Sequence, residues 1–121
     1  MSYLNSNVLD SGLAWLVTNG TKLDVCTSEP ASYGDIATYT KGNKTSLSIG
    51  SPGARSPSGR KVTVPSISDG SVSGDGQVGY WAISNGSNTL CAAGALSSPQ
   101  TVSNGNTFTL TSFDIGIPGP A

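Results

Sequence analysis

The side chains here that can carry chemistry are few and scattered. No histidine occurs among the 121 residues, so the usual general base and metal ligand near neutral pH is missing. Only carboxylates, lysine, cysteine and tyrosine remain for such work. The seven acids stand singly. Only Asp69 and Asp75, in Ser68-Asp69-Gly70-Ser71-Val72-Ser73-Gly74-Asp75-Gly76, come close enough to be weighed together. A calcium loop needs tighter alternation of oxygen ligands and a bidentate acid, so two turn-forming Asp-Gly pairs explain this stretch better. Serine is plentiful but has no histidine to activate it, and no glycine spacing precedes a lysine in the phosphate-cradling arrangement. Cys26 and Cys91 lie far apart in apparent strands, where half-buried reduced thiols are expected, and two separated cysteines make a very weak zinc signal. We assign no catalytic, cofactor-binding or metal-ligating residue.

Two sets of residues carry binding chemistry instead. Lys41, Lys44, Arg55, Arg60 and Lys61 fall between Asp35 and Asp69 with no acid among them, and no base follows Lys61. That distribution reads either as a solvated polar strand and loop or as a positive arm docking on an acidic protein surface. The net charge of −1 gives no long-range attraction to nucleic acid or to an anionic membrane. The second set is aromatic: Tyr3, Tyr33, Tyr39, Tyr80, Trp15, Trp81 and the two phenylalanines have the chemistry of a sugar-stacking platform, which makes a carbohydrate-binding module a competing function. Tyr80 and Trp81 are adjacent in a strand, so one must face inward, and Trp81 is the expected core member.

The elements that must position these residues are short and mostly extended. Leu9, Leu13 and Leu16 recur at helical spacing behind the caps Asn5, Ser6 or Asn7, giving a short N-terminal helix despite Gly12. Asn19-Gly20 turns the chain into a strand at Lys22-Leu23-Asp24-Val25-Cys26-Thr27, whose alternation implies one buried face. Glu29-Pro30 ends it, and residues 31–37 form one or two helical turns with Pro30 at the first position. Thr38 to Ile49 is Thr-rich and broken at Gly42-Asn43, as two edge-like strands or an extended hairpin would be. Residues 50–59 hold two prolines and nothing apolar larger than alanine, so they form an exposed loop.

Stronger strand signals follow at residues 61–67, 77–83 and 89–96, the last two joined by an Asn85-Gly86-Ser87-Asn88 hairpin turn. After Asn104-Gly105-Asn106 the alternation of Phe108 and Leu110 changes phase before Phe113, Ile115 and Ile117, which marks a bulge or corner near Thr111-Ser112. The expected architecture is mainly β, a single-domain β-sandwich or distorted barrel over residues 1–121 with a short N-terminal helix and long polar loops. An apolar fraction of 36% and 16 glycines predict a thin core, one that a partner subunit completes. Residues 1–17 lack the basic start of a secretory signal and no run is long enough to span a bilayer, so the chain is expected to be made and to stay in the cytoplasm, off membranes.

Over nearly its whole length the chain resembles small structural proteins encoded beside the capsid genes of tailed bacteriophages. The similarity lies in Tyr3-Leu4-Asn5-Ser6-Asn7-Val8-Leu9-Asp10-Ser11-Gly12-Leu13, Cys26-Thr27-Ser28-Glu29-Pro30-Ala31-Ser32-Tyr33 and Gly59-Arg60-Lys61-Val62-Thr63-Val64, and in Trp81-Ala82-Ile83 with Asn106-Thr107-Phe108-Thr109-Leu110-Thr111. The resemblance implies a virion protein of the capsid exterior, a head decoration (cement) protein. Such a protein binds the major capsid protein as a homotrimer without any cofactor. On that reading residues 1–16, with Tyr3 and Leu4, and the basic residues Lys41, Lys44, Arg55, Arg60 and Lys61 make the contacts. A tail component or head fibre that meets the host surface is the alternative within the virion.

Overall fold

The computed structural model describes residues 6–56 and 58–117. Tyr3, Leu4 and Asn5 lie outside them. The chain is mainly β, as expected, with a curled six-stranded sheet, a small three-stranded sheet and two helices. Helix α1, Ser6–Asn19, sets Leu13 and Leu16 into the core and ends at Gly20. The Gly20 amide closes the last turn on the Leu16 carbonyl at 2.7 Å, and a Cβ there would collide with that oxygen and with Ile83. Strand β1, Lys22–Cys26, follows.

Helix α2, Tyr33–Tyr39, is short and is capped by Ser32, whose hydroxyl accepts from the Asp35 amide while the Asp35 carboxylate accepts from the Ala31 amide. Pro30 therefore stands before the cap instead of at the first helical position. The short side chain of Ser32 outcompetes the proline for the start of the helix because it satisfies an otherwise orphaned N–H.

Strand β2, Thr40–Lys44, overturns the expected break at Gly42-Asn43. It is an interior strand, antiparallel to β1 on one side and to β5, Ile67–Val72, on the other. Gly42 serves close approach and makes no turn: a Cβ there would sit 2.6 Å from the Ser71 carbonyl oxygen. Asp69-Gly70 is likewise inside β5. The Phe108 ring occupies the space a side chain at position 70 would need.

Strands β3, Gly53–Ala54, and β4, Arg60–Val64, lie within and after the loop expected at residues 50–59. The apparent single strand at residues 61–67 is two strands in different sheets. Pro65, with no N–H to donate, ends β4, and β5 starts in the large sheet at Ile67. Strand β6, Gly76–Ser84, pairs through the expected hairpin with β7, Leu90–Val102. In that hairpin the Asn85 side-chain oxygen accepts from the amides of Ser87, Asn88 and Thr89. Strands β8, Thr107–Leu110, and β9, Phe113–Ile117, meet at the expected corner, where the chain passes from the large sheet to the small one.

The sheet orders are β7-β6-β1-β2-β5-β8 and β3-β4-β9, and all the pairings are antiparallel. Val62 and Val64 of the small sheet, with Leu13 and Leu16 of α1, cover the concave face of the large sheet. Leu23, Val25, Val72, Val78, Ile83 and Phe108 meet them there. Leu47 and Ile49 join the same core, as their spacing implies. Strand β1 is buried on both faces, because Cys26 packs with Ile36 of α2 and Ala82 behind the sheet. Its alternation with polar residues suggested one buried face only.

The glycine under Phe108 can be tested against an unconstrained one. Gly70→Ala should cost about 1–3 kcal/mol of unfolding free energy through overpacking. Gly79→Ala, where nothing lies within 4 Å of the new methyl, should stay within about 0.5 kcal/mol. Urea titrations of the two variants compare the costs.

Candidate functional site

Three of the five bases of the acid-free stretch find acids elsewhere in the fold. Lys44 Nζ is 2.9 Å from Asp69 of β5. Lys61 Nζ is 2.9 Å from Asp114 of β9, whose other oxygen accepts from the Thr63 hydroxyl at 2.7 Å. Arg60 grips Asp10 of α1 with two nitrogens, Nε at 2.7 Å and Nη2 at 3.3 Å, in a half-buried fork that ties the helix to β4. Hydrogen bonds from Lys44 and from Lys61 hold the carboxyls of Asp69 and Asp114 below their ordinary range. Lys41 and Arg55 have no acid partner among the described residues. The Lys41 stem runs beside Gly74 and Gly76, and Arg55 lies across Gly116 while donating to the Ser58 carbonyl. The bases thus spread over β2, β4 and the loop before β4, and three of the five are neutralised locally. A Ser-x-x-Lys spacing does occur at Ser58 and Lys61. The Nζ of that lysine is engaged by Asp114.

The aromatic residues do not form one platform. Tyr33, Tyr39 and Tyr80 pack behind the sheet with α2, while Phe108 is in the core. Trp15 stands 51% exposed on α1. Trp81 is neither fully buried nor free. It is half-buried against the core, its ring 4.7 Å from that of Phe113 and inclined by 38°.

These two rings line a cleft of about 450 Å³. One wall comes from an irregularity in β7, where Val78 and Tyr80 pair with Gln100 and Ala95, so residues 96–99 bulge out opposite Gly79 alone. The other wall is the β8–β9 corner, through Thr111 and Ser112. Across the strand from Trp81 stands Gly94, and the indole lies so flat on it that a Cβ would come within 2.8 Å. Near this point the Gln100 side-chain nitrogen donates to the Thr109 carbonyl of β8 at 2.6 Å, bridging the two outer strands of the large sheet. The cleft opens where the sheet fails to close into a barrel. The strand expected at residues 89–96 runs on through Ser97-Ser98-Pro99 to Val102.

Behind the sheet, Asp24 is 2% exposed. Its Oδ2 accepts from the Thr40 hydroxyl at 2.8 Å, its Oδ1 has no hydrogen-bond partner, and Lys22 Nζ is 4.0 Å away. Burial raises its pKa, against the opposing pulls of Thr40 and Lys22. Burial, and after it the charge of Asp24, pushes the neighbouring Cys26 thiol up to about 12, and burial also raises Cys91. Both cysteines are free thiols, held in their unreactive protonated form near neutral pH. No group of three or more acids or cysteines that could hold a metal occurs among the described residues. No helix among the described residues is long and apolar enough to cross a membrane.

Compared with protein-family models, with curated proteins and with solved structures, the chain matches none.

The carboxyl groups fix opposite pH dependences. Asp24, with its pKa raised above the ordinary 3.8, binds its proton more tightly when folded. It therefore withdraws stability as pH rises from that value through the folded pKa. Asp69 and Asp114, with lowered values, contribute stability that is lost as pH falls below 3.8. Asp24→Asn should stabilise the protein at pH 7 by about 1 kcal/mol and flatten the decline above pH 4, leaving the acid limb intact. Denaturant midpoints across pH would check both limbs.

Proposed function

We propose that this chain is a bacteriophage capsid decoration protein, which binds the major capsid protein on the outside of the head as a homotrimer and stabilises the lattice. The observation that carries the reading is the open edge of the large sheet. Among the described residues strand β7 has β6 as its only neighbour in that sheet, and its first part, residues 90–95, is Leu-Cys-Ala-Ala-Gly-Ala. Exposed edges are ordinarily blunted by lysine, proline or a bulge. Residues 90–95 carry no lysine and no proline, and the ladder is irregular at Cys91 and again at residues 96–99. An edge of small uncharged residues suits pairing with a strand of a neighbouring chain.

The internal pairing of the charges supports the same reading. A surface whose bases are largely matched by its own acids attaches through shape and backbone contact more than through long-range attraction, and three linked copies raise the strength of weak individual contacts. The resemblance to phage head proteins supplies the identity of the lattice. The cleft beside Trp81 favours the second reading, a tail or head-fibre component that meets a host-surface glycan.

Protein quantification of purified virions separates these two. A decoration protein should approach the major capsid protein in copy number, whereas a count far below one trimer per capsid hexamer would overturn the proposal. Ala95→Lys, which places a charge at an exposed position of the open edge, should lower occupancy on undecorated heads while moving stability by no more than about 0.5 kcal/mol. Undiminished occupancy would show that this edge is not the contact.

A further inference from the structure

We infer that the cleft between the β7 bulge and the β8–β9 corner is a carbohydrate subsite that takes a neutral pyranose. The site and its test are independent of whether the chain decorates a capsid. Its volume of about 450 Å³ falls in the range of small-molecule pockets, roughly 300–1,000 Å³. Trp81 and Phe113 meet at 38° to give an angled aromatic lining. Such a lining matches the C–H face of a sugar ring, which is attracted to the negative face of an aromatic system. The Trp81 side chain makes no hydrogen bond to any described residue. Beside the apolar Leu96 and Leu110, the neutral polar lining consists of Ser97 and Ser98 from the bulge, Thr111 and Ser112 from the corner, and Gln100, whose side-chain nitrogen donates to Thr109. Apolar rings enclosed by neutral donors and acceptors complement the two-sided character of a pyranose.

Charge and backbone narrow the ligand class. Asp114 is the one ionisable residue of the lining, and Lys61 and Thr63 already occupy both of its oxygens. The cleft thus offers no unspent charge to an anionic sugar. An extended peptide is also a poor match, because residues 96–99 leave the strand ladder and Pro99 lacks an N–H.

The test uses the full chain with Trp15→Phe, which leaves Trp81 as the single tryptophan reporter. Cellopentaose, maltopentaose, chitopentaose and mannopentaose are each titrated to millimolar concentration while Trp81 emission is followed. At least one should give a saturable shift. Ser98→Phe, which fills the cleft from an exposed position, should weaken that binding at least tenfold, and Ser87→Phe at the distant hairpin tip should leave it unchanged. Circular dichroism and the urea midpoint verify that each variant is folded. The inference is overturned if none of the four sugars produces a saturable shift, if the response survives Ser98→Phe in folded protein, or if oligogalacturonate binds more tightly than every neutral probe.

Discussion

The architecture turns on one side chain, Phe108, and on the two glycines that make room for it. Its ring lies across Gly70 of β5 and against Gly42 of β2, is 1% exposed, and sits where ordinary side chains would hold those strands farther away. Close approach at this point lets the sheet curl. The curl gives the concave face that α1 and the small sheet fill, and it brings the outer strands β7 and β8 near enough for Gln100 to reach across. A larger residue at either glycine would leave the ring without a place, and overpacked cores relax by moving backbone.

Curling without closing has two results on the same sheet. Where Gln100 reaches Thr109 the two edges are held together, and beside that link the bulge of residues 96–99 and the turn at Thr111-Ser112 leave a lined hollow. Farther along β7, residues 90–95 keep one side of their backbone unpaired within the sheet. One incomplete barrel thus leaves a lined hollow and an edge strand with one neighbour among the described residues. Charges play a smaller part, because Asp10, Asp69 and Asp114 reach from three different elements to match Arg60, Lys44 and Lys61.

Periodicity made the strands legible, together with the Asn85-Gly86 hairpin and the corner after Leu110, because alternation and turn chemistry are local properties. Sheet membership was not local. Nothing in Val62-Thr63-Val64-Pro65-Ser66-Ile67 says that its two ends serve different sheets, although Pro65 marks the place. Gly42 and Gly70 looked like turn residues because a glycine accommodating a distant aromatic ring has the same sequence signature as one reversing the chain. The basic stretch looked unpaired for a related reason: its acids lie 25 to 53 residues away. Trp81 was rightly placed against the core by alternation, but its second role in the cleft depends on Phe113 and Gly94, and no spacing rule connects the three.

The exchange of strands between sheets also constrains how the polypeptide can be made. Among the described residues strand β4 pairs with the two-residue β3 and with β9, so most of the small sheet awaits residues 113–117, some fifty positions later in translation. Until those residues leave the ribosome, Val62 and Val64 lack their final cover, and the Arg60 fork to Asp10 has only a partial sheet to anchor. Non-local pairing of this kind slows folding and leaves apolar surface open to misassembly meanwhile. A nascent chain of this design is a natural client for chaperones, and its yield in a host depends on elongation rate as well as on the stability of the finished fold.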